Sequence, residues 1–472
     1  MSIALRSSSS ARQGAADTDN LAALRSLLDG ELVTPDHPQC DERRQVHDLL
    51  VDRRPLALVR ARHAEDVAVT VRFAREHAMP LTIRAGSHSL ARHSMIDGAI
   101  VVDLGCMKRI TVDPVSRIAR VQAGATTGDL IGVASEFDLA LSTGDTASVG
   151  MGGLITGGGI GFMVRKYGLT IDSLISARVV TADGEIVTAS ATEHPHLFWA
   201  IRGGGSNFGI ITEYELRLAP VGQVIGGMLL LPATRAAVRA YLDYTAAASD
   251  DLTTIANIMH APPAPFVPED RVGELVLSVL VCWTGAPEAA DEALAPLRAL
   301  GDPLADTIGP MPYAHLYRYT EHQTMRHCWS MRSMYANELS DRSLDAMLTA
   351  MEQASSPYSI VHLRGLGGAM ARVSPDETAF SHRDTRYLVA AIGVWLDPTE
   401  DAVMHQTWVH GLWQQIRQDE AGVYVNFLEN EGTDRTRAAY SRATFERLAA
   451  VKQAYDPRNL FQFNQNVPAR RL

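Results

Sequence analysis

Cysteine is scarce in this sequence, and the positions of the cysteines exclude several classes of site. Of 472 residues only four are cysteines, Cys40, Cys106, Cys282 and Cys328, and no two of them form a Cys-x-x-Cys pair. A structural zinc site or a disulfide framework requires cysteines that are closer together or more numerous. Such sparse usage is typical of proteins in a reducing compartment.

Long apolar runs and an excess of positive charge are also absent. No stretch of about 18 apolar residues predicts a membrane span, and residues 1–20, rich in Ser, Ala and Gln, predict a flexible tail rather than a secretory signal. The formal net charge of -11 argues against a nucleic-acid partner, because little would neutralise a phosphate backbone. The sequence therefore predicts a cytoplasmic protein that binds neither membrane nor nucleic acid.

The common nucleotide and hydrolase fingerprints are missing as well. The chain contains no strict G-x-G-x-x-G, and no lysine follows a glycine, which excludes a Walker loop. It also contains no G-x-S-x-G, so a hydrolase nucleophile elbow is not indicated. A nucleotide, if the chain binds one, must be held by another arrangement of backbone.

The length of the chain, and a change in its glycine content and hydrophobic periodicity near residue 220, predict several domains. Helical and strand patterns alternate with many glycines up to about residue 220, and longer amphipathic stretches follow. We expect an α+β protein with a two-lobed first domain and a second domain in which helices back one face of an antiparallel sheet. The predicted units are residues 1–48 (tail and first helix), 49–220, 221–420 and a terminal segment 421–472.

Hydrophobic periodicity predicts individual elements of these units. Helices are expected at Glu65–Ala78, Glu288–Leu300 (kinked or shortened by Pro296), Ser340–Ala354 and Thr433–Ala454. Strands are expected at Leu81–Ile83, Ala99–Leu104, Thr212–Leu218, Glu274–Trp283, Ser359–Arg364 and Tyr387–Leu396. Val179–Val187 predicts a hairpin whose turn is Asp183-Gly184.

Three glycine clusters dominate the first half of the chain. They are RAGSHS from Arg84, the stretch from Gly150 to Gly161, and GGGSNFG from Gly203. Glycine lets backbone N–H groups approach an anion closely and permits positive φ, so several such loops favour a dinucleotide that runs along backbone. The alternative is that they form only turns and bulges in a twisted sheet.

Four segments carry a resemblance to a known family. They are RAGSHS from Arg84, VGMGGLITGGGIGFMVRKYGLTIDSL from Val149, RGGGSNFGIIT from Arg202 and YDPRNLFQFNQN from Tyr455. They resemble the vanillyl-alcohol oxidase/p-cresol methylhydroxylase superfamily, in its berberine-bridge-enzyme-like branch. The resemblance covers over half of the chain and implies a PCMH-type FAD-binding domain, 49–220, completed by the terminal segment, with a substrate domain at 221–420.

The resemblance also implies how the flavin is attached. His88 occupies the position whose imidazole bonds to the 8α-methyl of the isoalloxazine in the family. Some relatives add a second bond from a cysteine, but this sequence has Thr146 there, so we expect one covalent link. Ser87 and Arg92 stand where relatives usually have glycine. Arg92 is interpreted either as a residue that shapes the cleft mouth or as a solvated side chain.

The remaining cofactor contacts are also implied by the resemblance. His93 is either a polar contact near the cofactor or a surface side chain. The expected cofactor-binding set is Arg84, Ala85, Gly86, Ser87, His88, Ser89, His93, Thr143, Gly144, Val149, Gly150, Gly152, Gly153, Gly158, Gly159, Gly161, Tyr167, Asp172, Gly209, Ile210, Ile211, Asn464 and Asn466.

The candidate catalytic residues lie in a Tyr-x-Asn-Tyr segment of the family. This chain has Phe427 at the last position, where many relatives have a tyrosine base, which leaves Tyr424 and Asn426 to orient flavin or substrate. Other acid–base candidates are Tyr313, Tyr317, Tyr335, His362 and His382, and Met325, Trp329, Met331 and Met334 are candidates for an apolar pocket.

The resemblance implies an FAD-linked oxidase that takes a hydride from an alcohol, a sugar or a secondary metabolite and passes electrons to O2. Two alternatives stay open. One is a dehydrogenase with another electron acceptor, and the other is a flavin-containing protein that binds a small molecule without catalysis.

Overall fold

The computed structural model describes residues 20–418 and 422–469. Of the predicted tail, residues 1–19 lie outside the described residues. The helices are α1 (residues 20–26), α2 Cys40–Arg43, α3 Ala64–Glu76, α4 Thr127–Ser135, α5 Met151–Gly157, α6 Val164–Tyr167, α7 Pro195–Ala200, α8 Arg235–Ala247, α9 Ala290–Arg298, α10 Asp341–Glu352, α11 Ala369–Arg372, α12 Ala402–Ile416, α13 Thr433–Ala438 and α14 Arg442–Tyr455. Short 3₁₀ helices occur at Thr170–Ser173, Glu269–Arg271, Pro287–Ala289, Tyr313–Thr324 and Val425–Phe427.

The strands form two smaller sheets, one two-stranded ribbon and one large sheet. They are β1 Glu31–Val33, β2 Ala57–Arg60, β3 Leu81–Arg84, β4 Ile100–Asp103, β5 Ile110–Asp113, β6 Ile118–Gln122, β7 Leu139–Ala140, β8 Leu174–Val180, β9 Ile186–Ser190, β10 Ile210–Arg217, β11 Ala219–Pro220, β12 Gln223–Pro232, β13 Leu252–His260, β14 Leu275–Trp283, β15 Ala305–Asp306, β16 Gly309–Pro312, β17 Cys328–Ala336, β18 Ile360–Gly365 and β19 Tyr387–Trp395.

The first sheet has the order β1-β2-β4-β3, with β2, β3 and β4 parallel, and α3 connects β2 to β3. Strands buried on both faces are apolar throughout, which explains why Ile100, Val101 and Val102 are all fully buried. The loop that follows β3 begins at the carboxyl end of a parallel strand, where open sheets commonly bind ligands. That loop carries the first glycine cluster.

The second sheet is antiparallel, with the order β5-β6-β10-β8-β9. The predicted hairpin is confirmed: β8 and β9 pair antiparallel, and Gly184 in the turn has φ +74°, which a glycine adopts readily. The terminal segment packs into the same core as these two sheets through residues such as Tyr424, Leu448 and Phe461.

The large sheet has eight antiparallel strands, ordered β15-β12-β14-β13-β18-β19-β17 with β16 also pairing with β12. Alternate residues point to opposite faces of a strand. One face packs on α8, α9, α10 and α12 to form a second core that includes Val279, Val361 and Leu412. The other face carries the intervening residues and turns toward the first two sheets. The predicted fold class, with helices on one face of an antiparallel sheet, is confirmed.

Two predictions about elements need correction. The single helix predicted over Thr433–Ala454 is interrupted, because Ser441 leaves the helical conformation and its side chain accepts from Thr444 N, which starts α14 as a new helix. The sequence patterns also miss β12, β13 and β17, whose apolar and polar residues do not alternate regularly. Across residues 20–418 and 422–469, no helix is long and apolar enough to cross a membrane.

Candidate active site

A cavity of about 1610 Å³ lies between the glycine loops and the large sheet. Its volume exceeds that of typical sites for one small ligand, about 300–1,000 Å³, so it has room for a dinucleotide and a substrate together. Seventeen of the predicted site residues line this cavity: Ala85, Gly86, Ser87, His88, Ser89, His93, Gly144, Val149, Gly150, Gly152, Gly153, Gly209, Ile210, Ile211, Tyr424, Asn426 and Asn464.

His88 lies in the cavity wall, in the loop after β3. Its Nε2 atom is 2.9 Å from Ser148 Oγ, and its ring stacks on that of His47 with centroids 4.0 Å apart. Burial, with a smaller contribution from His327, lowers the pKa of His88 to about 4. The ring is therefore neutral near pH 7, which is the form in which an imidazole nitrogen acts as a nucleophile.

The first two glycine clusters meet behind His88. A Cβ added at Gly86 would overlap the backbone nitrogen of Gly150, and a Cβ at Gly150 would overlap that of Gly86. The second cluster is held in place because Met151 N donates to Ala125 O at 2.9 Å and Gly152 N donates to Ala123 O at 3.1 Å. Only glycine at both positions allows the two backbones to approach this closely.

Both positions where relatives usually have glycine adopt left-handed backbone. Ser87 has φ +63° and Arg92 has φ +61°, in the region that favours glycine. The solvated-side-chain interpretation of Arg92 is wrong: its Nε donates to Asp48 Oδ2 at 2.5 Å, and that carboxylate is buried. Arg92 Nη2 also lies 3.4 Å from Trp329 O, so the side chain joins the His88 loop to the large sheet.

Eight predicted cofactor residues do not line the cavity: Arg84, Thr143, Gly158, Gly159, Gly161, Tyr167, Asp172 and Asn466. Several of them support the wall from behind. Arg84 Nη2 donates to Asp103 Oδ2 at 2.6 Å, and Asp172 accepts two hydrogen bonds of 2.8 Å from Arg383. That second pair joins the segment that follows the second glycine cluster to the segment TAFSHR, residues 378–383, of the middle domain.

Tyr424 and Asn426 connect the terminal segment to the second glycine cluster. Tyr424 Oη accepts hydrogen bonds from Gly159 N at 2.9 Å and from Asn426 Nδ2 at 3.0 Å, and Asn426 Nδ2 also lies 3.1 Å from Leu154 O. Burial raises the pKa of Tyr424 to about 12. These contacts place both side chains at the cavity wall, where an orienting role remains the prediction.

Only one of the other acid–base candidates lines the cavity, and it is His362. Tyr317 donates its hydroxyl to Gly144 O at 2.9 Å and is close to the Tyr313 hydroxyl, while His382 Nε2 lies 3.0 Å from Ala438 O. Of the predicted apolar pocket residues, Met325, Trp329 and Met331 line the cavity. Met334 instead belongs to the core between the sheet and its helices.

The position where some relatives carry a second attachment residue holds a threonine in this chain. Thr146, at the position of the relatives' cysteine, lines the cavity and donates to Gln323 Oε1 at 2.7 Å. No cysteine is among the described residues of the cavity wall. The described part of the chain also holds no group of three or more His, Cys, Asp and Glu side chains that could bind a metal ion.

The described residues fit a flavin dinucleotide. The side-chain Oδ1 atoms of Asn464 and Asn466 are buried and have no hydrogen-bond partner in the protein, which is rare in a native fold. Both lie in the terminal segment predicted near the pyrimidine side of the flavin, and Asn464 lines the cavity. A Cβ at Gly153 would meet no atom within 4 Å, so this stretch of backbone is open to a ligand.

Some residues of the site were not predicted from the sequence. His47, Asp145, Asn257 and Arg364 all line the cavity. Asn257 and Arg364 are polar residues within otherwise apolar strands, and they share a face of the sheet with other cavity residues. A polar residue in such a strand could have been used to predict a site residue from the sequence. His47 lies in a loop far from any predicted motif, and Asp145 lies between the predicted Gly144 and Thr146, but no local pattern distinguishes either residue.

Comparison with known proteins identifies the family of the chain. A family model described as FAD binding domain matches residues 55–190, and one described as berberine and berberine like matches residues 423–468. The FAD-linked oxidoreductase YgaK of Bacillus subtilis is 30% identical over 461 residues, covering 94% of this chain and 98% of that protein. The chain belongs to the berberine bridge enzyme-like family of FAD-linked oxidoreductases.

Two further relatives extend this comparison. (R)-6-hydroxynicotine oxidase of Paenarthrobacter nicotinovorans is 30% identical over 459 residues, which is 93% of this chain and 97% of the relative. The solved structure of glucooligosaccharide oxidase from Acremonium strictum has a TM-score of 0.83 and 25% identity, covering 95% of this chain and 98% of that one. That enzyme carries a 6-S-cysteinyl, 8α-N1-histidyl FAD. The predicted family, the FAD cofactor and the oxidoreductase class are confirmed for this FAD-linked oxidoreductase.

Proposed function

We propose that this FAD-linked oxidoreductase is an oxidase that carries FAD on a single covalent bond to His88. The observation that supports the proposal most is the position of His88, a neutral, partly buried imidazole in the wall of the cavity, beside the contact between Gly86 and Gly150. When bound, FAD supplies an acceptor for a hydride from a substrate carbon and a donor of two electrons to O2.

The protein's own residues hold and orient the reactants. The glycine loops would present backbone N–H groups to the pyrophosphate of FAD. Ser148 Oγ, at 2.9 Å from Nε2, holds the ring of His88 so that Nδ1 would be left for the covalent bond. The large sheet forms the opposite wall of the cavity. The substrate is a small molecule with an oxidisable alcohol or amine carbon.

Reaction with O2 can be tested without knowing the substrate. The purified protein is reduced anaerobically with dithionite, freed of excess reductant and mixed with air-saturated buffer. We expect rapid return of the flavin absorbance with about one hydrogen peroxide per FAD, since an oxidase passes both electrons to O2. Slow reoxidation in air, combined with rapid reoxidation by an artificial dye, would instead support the dehydrogenase alternative.

A further inference from the structure

A polar row crosses the cavity-facing side of the large sheet. Ser278 on β14 lies opposite Asn257 on β13, and Asn257 lies opposite His362 on β18. All three side chains line the cavity. Because directly opposite residues of an antiparallel pair share a face of the sheet, the three form a continuous strip across three strands.

The surface around this row is apolar. Apart from Arg364, its neighbours on the same face of the sheet are apolar and line the cavity: Met228, Leu230, Ile255, Met259, Leu280, Ile360, Ile392 and Val394. The cavity also reaches four of the most exposed large apolar side chains of the described chain: Val272, Met325, Tyr358 and Leu396. Exposed apolar side chains grouped at a cavity are typical of a binding site for an apolar ligand.

His362 leaves one hydrogen-bonding atom unused. Its Nδ1 lies 2.9 Å from Asn257 Oδ1, which accepts the Nδ1–H, so the lone pair of the neutral ring is on Nε2. The side chain is only 7% exposed, and Nε2 is buried without a hydrogen-bond partner in the protein. A buried acceptor without a partner is unfavourable until a ligand supplies a donor.

The charges near the row cancel. The Arg364 guanidinium is paired with the Asp145 carboxylate and also donates to Ile160 O at 2.8 Å. Burial, followed by the charge of Arg364, lowers the pKa of His362 to about 3, so its ring is neutral near pH 7. This part of the wall therefore presents no net charge to a ligand and favours a neutral one.

We propose that the row formed by Ser278, Asn257 and His362 is the substrate subsite for one neutral hydroxyl group, and that the substrate is otherwise an apolar, ring-bearing molecule. The substrate O–H donates to His362 Nε2, while the apolar face of the sheet packs against the rings. This inference rests on the proposed function, because the same cavity holds the FAD.

An oligosaccharide does not fit this wall. A sugar carries a hydroxyl on most of its carbons, and each hydroxyl that is buried without a hydrogen-bond partner opposes binding. On this face the three polar side chains of the row and Arg364, which is already paired with Asp145, lie among eight apolar side chains. The glucooligosaccharide oxidase named above therefore shares the fold without sharing this substrate class.

The subsite is tested by binding, with the absorbance of the bound flavin as the readout. The probes are 2-naphthol, 2-methoxynaphthalene, which has the same rings but no O–H donor, and xylobiose. We expect the wild-type protein to bind 2-naphthol about tenfold more tightly than 2-methoxynaphthalene, since one hydrogen bond contributes about 1.4 kcal/mol. Xylobiose should produce no change in the flavin spectrum.

Three variants locate the effect. His362→Leu should weaken 2-naphthol about tenfold and leave 2-methoxynaphthalene within about twofold, while His362→Gln, which keeps an acceptor, should restore most of the preference. His410→Leu, a matched change on the exposed surface of α12, should behave as wild type. If His362→Leu does not fold, the wild-type comparison of the two naphthalenes still decides the question.

The results separate the two proposals. Equal affinity for the two naphthalenes, tight binding of xylobiose, or equal loss for both naphthalenes in His362→Leu would overturn the subsite. A protein that holds FAD and gives any of these results keeps its proposed function. A protein without bound flavin contradicts the proposed function itself.

Discussion

Replacing Asp456 by alanine is expected to lower the free energy of unfolding by about 3–5 kcal/mol, because it leaves a buried charge without its partner. Asp456 and Lys452 are both fully buried, with Nζ 2.7 Å from Oδ2. Lys452 Nζ also donates to Asn207 O at 2.8 Å and to Phe461 O at 2.9 Å, so the ion pair fastens the terminal segment to the third glycine cluster.

The same carboxylate accepts hydrogen bonds from the backbone N–H groups of Leu460 and Phe461, at 2.8 and 2.9 Å. Removal of the carboxylate therefore also leaves two backbone donors just before Asn464 without an acceptor, one partly buried at Leu460 and one buried at Phe461. We expect a lower urea midpoint in circular dichroism and a reduced ratio of flavin to protein. A wild-type midpoint and flavin content in Asp456→Ala would show that the pair does not hold the segment.

Helix α14 contains a matched control for this prediction. Arg442 and Glu446 have the same spacing of four residues and form an ion pair of 3.0 Å, but their side chains are 93% and 63% exposed. Exposed pairs of this kind contribute little, so Glu446→Ala should change the free energy of unfolding by no more than about 0.5 kcal/mol. The difference between the two variants isolates the effect of burial.

Replacing Gly150 by alanine is expected to abolish most FAD binding. Gly150 has φ -72° and ψ 134°, a conformation that alanine adopts easily, so any effect comes from space. The new Cβ would overlap the nitrogen of Gly86 and lie 2.8 Å from its Cα, where only backbone could move. The two glycine loops must then separate beside His88.

The measurement is the ratio of flavin to protein in purified Gly150→Ala, together with its thermal midpoint. We expect at least a tenfold lower ratio and a loss of stability of about 1–3 kcal/mol, the usual effect of overpacking. Gly411→Ala is the control, because a Cβ there meets no atom within 4 Å and α12 should gain about 0.5–1 kcal/mol. Normal flavin content in Gly150→Ala would contradict the importance of this contact.

Much of the fold followed from local patterns in the sequence. The helix α3, which ends shortly before Pro80, the hairpin with its turn at Gly184 and the strands β14, β18 and β19 all carry their own periodicity or turn residues. The break before α14 was missed because Ser441 acts as a helix cap only through a side-chain contact that periodicity does not record. Periodicity and turn residues therefore predict that a helix or strand exists better than they predict the residues at which it begins and ends.

The candidate site was predictable where a motif carried it. His88 and most of the glycine positions were found from one segment each, and the structure brings them together at one cavity. The subsite opposite them was not found as a unit, because Ser278, Asn257 and His362 are far apart in sequence and become neighbours only through the register of three strands. Pairing between distant strands has no local signature in a single sequence.

The central claim is the single covalent bond between His88 and FAD, and its most direct test is the mass of one peptide. The purified protein is precipitated with acid, digested and analysed by mass spectrometry. We predict a yellow pellet in which the peptide containing His88 carries one FAD and the cysteine-containing peptides carry none. A colourless pellet with an unmodified His88 peptide, and all flavin in the supernatant, would contradict the claim.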